Sequence, residues 1–165
     1  MNPPAAGVTV TFTRPNDTTP YTAGDVIYGI LTFEDIANWQ NPGREICIIS
    51  ARLRIDIAAA PVGMDKLRLH LYSSTPSGIW LDNGGWDLAT DADRAAYLGF
   101  IEFALPATLG STLYSQLTNV QHQVTLPPPS STSPNNAIYG LLQTVAGWTP
   151  GALTQFAVTL NTEAK

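Results

Sequence analysis

The chain has 165 residues, 44% of them apolar, which is enough for one hydrophobic core and short for two. Only 13% are charged, and eight Lys and Arg against thirteen Asp and Glu leave a formal net charge of −5. That balance argues against nucleic acid as a partner, because phosphate contacts need clustered cations and the only lysines are Lys66 and Lys165.

Residues 1–6, MNPPAA, lack the basic start and long apolar stretch of a secretion signal, and no run approaches a membrane span. The expectation is a soluble protein made in a cytoplasm, with no membrane partner. Cys47 is the single cysteine, so no intrachain disulfide can form. Its apolar run, residues 45–50, predicts a small packed side chain rather than a reactive thiol.

Val8, Val10 and Phe12 alternate with Thr9, Thr11 and Thr13, the two-residue period of a half-buried strand. Pro15 ends it. Residues 16–20 supply turn chemistry, and Ala23, Gly24 and Asp25 tighten the return into a second strand beginning at Val26 and Ile27. Residues 46–57 predict a third strand, with Ile49, Ala51, Leu53, Ile55 and Ile57 on one face and Ser50, Arg52, Arg54 and Asp56 on the other. After a loop over 58–65, Leu67, Leu69 and Leu71 alternate with Arg68, His70 and Tyr72. If these two strands are neighbours, Arg52, Arg54, Arg68 and His70 share one outer face. That face either meets an acidic partner or is solvated, with the solvated reading favoured.

Residues 73–85 are rich in turn formers and read as a surface excursion carrying Trp80, with Trp86 just beyond. Residues 90–99 predict one short helix, with Thr90 or Asp91 as cap, Asp93 near the positive end of the dipole and Gly99 as terminator. Residues 100–105 return to a strand stopped by Pro106. Residues 113–126 make one or two strands, 127–136 a stiff proline-rich connector, and 137–145 and 153–160 close the chain as strands. The sum is about eight strands and one short helix, without the helix–strand alternation of a parallel sheet. The expected fold is all-β: a single antiparallel β-sandwich over 1–165, jelly-roll or immunoglobulin-like, with an N-terminal arm over 1–7.

The stretch TFTRPNDTTPYTAGDV, residues 11–26, resembles the N-terminal segment of small virion structural proteins of tailed bacteriophages. The likeness continues in patches over 67–72, 87–99 and 137–160. It implies a place in the particle and, within that class, a capsid decoration or cement protein. Such a protein binds the outer capsid surface, bridges subunits of the major capsid protein, and is made in the host bacterial cytoplasm. Self-association as a trimer follows by the same analogy.

No catalytic motif accompanies these features. A nucleophile elbow and phosphate or dinucleotide glycine loops are absent from the sequence, and His70 and His122 lack the convergent partners a zinc site needs. The expectation is no enzyme, no cofactor and no metal. Asp82, Asn83 and Asp87, with Asp91 and Asp93, form the one local cluster of oxygen ligands, yet turn formation and helix capping account for each. Partner contacts are expected on the arm (Asn2, Pro3, Pro4), on the loop over 14–21 (Arg14, Asn16, Asp17, Tyr21), on the connector (Pro127, Pro128, Pro129) and at Trp80 and Trp86. A second reading is a tail, fibre or baseplate module that uses Trp80, Trp86 and Trp148 on a host glycan. Trp39, Trp80, Trp86 and Trp148 all lie in or beside loops, where the plain alternative is that they plug the ends of the sandwich.

Overall fold

A computed structural model describes residues 6–36, 45–104, 106–126 and 137–164. Asn2, Pro3, Pro4, Trp39 and the 127–136 connector with Pro127, Pro128 and Pro129 lie outside the described residues. In chain order the elements are β1 (Ala6–Thr13), β2 (Val26–Phe33), β3 (Glu45–Ile55), β4 (Leu67–Tyr72), α1 (Asp91–Ala96) and β5 (Tyr97–Phe103). There follow β6 (Ala107–Thr108), β7 (Leu113–Thr125), β8 (Ile138–Thr144) and β9 (Gln155–Ala164).

Two antiparallel sheets face each other, ordered β1-β9-β3-β7-β6 and β2-β8-β4-β5. With the two-residue β6 set aside, the eight long strands taken in sequence run 1-8-3-6 in one sheet and 2-7-4-5 in the other. That order is the jelly roll rather than the immunoglobulin arrangement: the first four strands alternate between sheets, and the last four return beside them. The inner faces close on one core that includes Phe12, Ile27, Phe33, Ile55, Leu69, Phe103, Leu142 and Phe156. Phe12 and Phe156, opposite each other in the β1–β9 register, stack at 5.2 Å.

β3 departs from simple alternation. Ile46 and Ile48 are buried, then Ala51, Leu53 and Ile55, so the buried set changes parity within the strand. A register shift between Ile48 and Ser50, present against both β7 and β9, inserts the extra residue and moves Ile49 off the core face expected for it. On the opposite strand the irregularity falls at Asn119 and Gln121, both at positive φ, and β7 continues through it as one strand. Cys47 is buried, as its apolar run predicts.

The expected basic face does not form. β3 and β4 belong to different sheets, so Arg52 and Arg54 lie on the outside of one and Arg68 on the outside of the other. His70 and Tyr72 are not outer-face residues in contact with water: both are buried. What covers them is the excursion over 73–90, which folds back over the outer face of the four-stranded sheet. It builds a second, smaller apolar layer with Val26, Tyr72 and Leu141 beneath Trp80, Trp86 and Leu88.

α1 has the predicted cap. Thr90 is extended, and its hydroxyl accepts the Asp93 N–H at 3.1 Å. The helix stops at Ala96, three residues before the expected terminator, because Tyr97 is already extended. Gly99, at φ 97°, instead sits inside β5 beside the register shift between Leu71 and Tyr72, where a left-handed residue lets the strand bulge.

Candidate functional site

The connections β1–β2, β3–β4 and β8–β9 gather at one end of the sandwich, and Arg14 ties two of them together. The Arg14 N–H donates to the Thr154 carbonyl at 3.0 Å, and its Nη1 donates to the Gly151 carbonyl at 3.0 Å. Its Nη2 lies 2.7 Å from Asp82 Oδ2, while Nε donates to the Tyr21 hydroxyl. Tyr21 in turn donates to Asp82 Oδ1 at 2.6 Å, and the same oxygen accepts the Tyr28 N–H at 2.7 Å. One guanidinium thus links the β1–β2 loop, the excursion and the β8–β9 loop.

Arg14 is 1% exposed. Burial alone would lower its pKa, but the hydrogen bond to Asp82, the Asp82 charge and the hydrogen bond to the Tyr21 hydroxyl outweigh it and hold the guanidinium firmly charged. Burial, then the hydrogen bond to Asp82 and its charge, push the Tyr21 phenol far above its ordinary range, so it stays a donor. The rest of the 11–26 phrase serves the same scaffold. Asp17 Oδ1 accepts the Thr19 N–H at 3.0 Å, and Asp25 Oδ2 accepts both the Thr22 N–H at 2.5 Å and the Thr22 hydroxyl at 3.0 Å. Tyr21 packs on Trp148 at 4.9 Å and bridges to it through the backbone.

The excursion is held as firmly. Val26 donates to the Gly84 carbonyl at 2.7 Å and accepts from Asn83 at 2.9 Å, which extends the sheet past β2. Trp86 stacks on His70 with ring centroids 3.9 Å apart, and its Nε1 donates to the Tyr72 hydroxyl at 2.9 Å. His70 is held between the Gln143 Oε1, 2.8 Å from Nε2, and the Tyr97 hydroxyl, 2.9 Å from Nδ1. An amide oxygen can only accept, so Nε2 carries the proton and Nδ1 accepts from Tyr97. Burial lowers the His70 pKa against the Gln143 hydrogen bond, and Arg68 lowers it further, so the ring is neutral near pH 7.

Arg14 and Tyr21, expected to face a partner, spend their side chains inside the protein, whereas Asn16 is exposed and Asp17 half-exposed. Trp148 is buried, and Trp80 and Trp86 pack inward over the sheet, as plugs do. The residues on either side of Trp80 face out instead: Ile79 is 88% and Leu81 64% exposed. Sequence reasoning passed over them in favour of the tryptophans, although the alternation Ile79, Trp80, Leu81, Asp82 was a signal that inner and outer side chains take turns. Tyr28 and Leu153 are also more than two-fifths exposed, and both have left-handed backbones, at φ 75° and 53°. Bulky residues seldom adopt that conformation, and here hydrogen bonds impose it: Tyr28 N–H to Asp82, Leu153 N–H to the Pro15 carbonyl at 3.2 Å.

The oxygen-rich cluster is dispersed. Asp82 turns into the Arg14 network, Asp93 accepts from the Ser77 N–H at 2.7 Å and from its hydroxyl, and Asp91 pairs with Arg94 at the surface. Among the described residues no group of three or more His, Cys, Asp or Glu is placed to hold a metal ion, and no helix is long and apolar enough to cross a membrane.

No family model matches the chain, and no curated protein matches it in sequence. Among solved structures it is similar to a chain of Cocksfoot mottle virus at 8% identity, covering 96% of this chain and 92% of that one with a TM-score of 0.34. It is similar to the BFDV capsid protein at 13% identity, 98% of each chain and a TM-score of 0.32. A lipoprotein of Bacteroides thetaiotaomicron is similar at 7% identity, with 99% and 85% covered and a TM-score of 0.39. The jelly-roll assignment rests on the strand order and register of this chain.

Proposed function

We propose that this chain is a structural component of a virus particle, a jelly roll that sits on the outer surface of a tailed-phage capsid and bridges neighbouring major capsid protein subunits. One observation carries the reading. The buried Arg14–Asp82 pair locks three chain segments at one end of the sandwich, while Tyr28, Ile79, Leu81 and Leu153, attached to the same segments, stand exposed. A surface built this way is ordered before it binds, so contact with a partner does not first cost the freezing of a loop. The resemblance of residues 11–26 to phage virion proteins supplies the partner class, and its Arg, Asp and Tyr are the residues that build this end.

The mechanism is contact across joints. A protein that touches two capsid subunits at once makes its second contact at high effective concentration, and binding the assembled lattice alone stabilises that lattice by mass action. The glycan-binding alternative loses its platform, since Trp80, Trp86 and Trp148 are turned inward.

The test mixes the purified chain with assembled shells and, separately, with unassembled capsid protein. The expected result is co-sedimentation with shells only, lost in an Ile79→Asp, Leu81→Asp variant, together with a copy number in purified virions comparable to the major capsid protein. A few copies per particle, or no binding to shells, would overturn the proposal.

A further inference from the structure

A jelly roll has sheet edges, and a free edge is a row of unpaired N–H and C=O groups that natural proteins shorten, bulge, charge or cover. Three of the edges here are treated that way. At β2, the first half is taken by the excursion, through Val26 to Asn83 and Gly84 and through Tyr28 to Asp82, and a register shift follows between Ile27 and Ile30. β5 carries Gly99 and the charged Glu102, and its Leu98 carbonyl accepts from His122 Nε2 at 2.6 Å. β7 is capped by β6 at Leu113 and Tyr114, and left-handed Asn119 and Gln121 make it irregular further along.

Among the described residues β1 carries none of these devices. It pairs with β9 over all eight residues without a register break, and it contains no charge and no proline. Val8 and Val10 point toward the core yet remain part-exposed at the end of the sheet. Beside them Tyr28, stacked on Phe12 at 4.8 Å, leaves an exposed ring on the same flank of the sandwich.

We infer that β1 pairs edge to edge with β1 of a second copy, antiparallel about a two-fold axis through Val10, joining two five-stranded sheets into one. The strand is self-complementary in the way such a pair needs. A two-fold on Val10 sets Val8 opposite Phe12 of the partner subunit and Thr9 opposite Thr11 of the partner subunit, so inward residues meet inward and hydroxyls meet hydroxyls. A β-branched residue against an aromatic, and threonine against threonine, are favourable cross-strand pairs; the Thr9 and Thr159 hydroxyls already meet at 2.8 Å within one copy. The absence of charge matters for a chain of net charge −5, because a copy approaching along this strand meets no like charge on it. The inference stands apart from the virion role: it concerns what the chain does with itself.

Sedimentation equilibrium of the intact chain over a wide concentration range tests it. The expected result is a dimer of twice 17.7 kDa, converted to monomer by Thr9→Lys with Thr11→Lys, with unchanged far-UV circular dichroism because both side chains point to solvent. A wild type that stays monomeric throughout, or a dimer that survives the lysines, overturns it. Oxidative cross-linking reads the register independently of the lysine variant's folding: Thr9→Cys with Thr11→Cys joins two copies, and either single variant does not. Cross-linking by a single variant, or none by the double one, contradicts the two-fold at Val10.

Discussion

The Arg14 guanidinium and the Asp82 carboxylate meet at 2.7 Å across 68 residues of sequence, with side-chain exposures of 0% and 8%. Removing Asp82 takes away the close partner of a buried guanidinium and leaves it only the longer contact to half-exposed Asp17 at 3.5 Å. Asp82→Ala is therefore expected to cost about 3–5 kcal/mol in urea unfolding at neutral pH, well beyond the effect of an exposed pair such as Arg94 and Asp91, at about 0–1 kcal/mol. Replacing both partners, Arg14→Met with Asp82→Leu, recovers part of that loss, because the second change removes the buried charge whose close partner the first took away. Strict additivity of the two single changes would show that the pair does not act as a unit.

The two tryptophans of the excursion differ in one respect that mutation can read. Trp86 Nε1 donates to Tyr72, whereas Trp80 Nε1 is buried with no partner among the described residues. Trp80→Phe is expected to stay within about 1 kcal/mol of wild type, since no hydrogen bond is lost. Trp86→Phe leaves the buried Tyr72 hydroxyl without its donor and is expected to cost about 1–3 kcal/mol. Thermal melts of the two variants side by side check the order.

His70 gives the stability a pH dependence of defined sign. Burial, opposed by Gln143 and aided by Arg68, holds its folded pKa below the ordinary 6.5. Below pH 6.5 the unfolded chain takes up a proton that the folded chain refuses, so stability present at pH 7 is lost as pH falls toward the folded value. The slope cannot exceed about 1.4 kcal/mol per pH unit for one proton. Denaturant melts between pH 7 and 5 should show this decline, and His70→Gln should flatten it.

How much of this was legible beforehand depended on range. The alternation at β1 and β4, the closing strands β8 and β9 and the Thr90 cap are local signals, and each element lies in the stretch expected for it, with β9 running on to Ala164. The bulge in β3 left Ile49 looking like the first residue of a regular stripe, since a one-residue insertion changes parity without changing composition. Arg52 and Arg68 seemed to share a face because the strands are consecutive, but a jelly roll sends consecutive strands to opposite sheets. Gly99 was assigned to a helix end when its positive φ serves a strand. Arg14 was the deepest miss: its partner Asp82 lies on an excursion whose return path no local pattern announces.

The exposed residues at the end tied by Arg14 separate binding from folding. Ile79→Asp with Leu81→Asp should leave the melting temperature within a few degrees of wild type, since both side chains already face water. An unfolded variant would show that these side chains support the fold.

The central claim is that this end of the jelly roll meets a capsid from outside, and density for the chain in an image of the intact particle tests it most directly. The account predicts the sandwich on the outer shell surface, with Tyr28, Ile79, Leu81 and Leu153 against major capsid protein subunits. Density confined to the tail, or on the shell with this end turned to solvent, would contradict it.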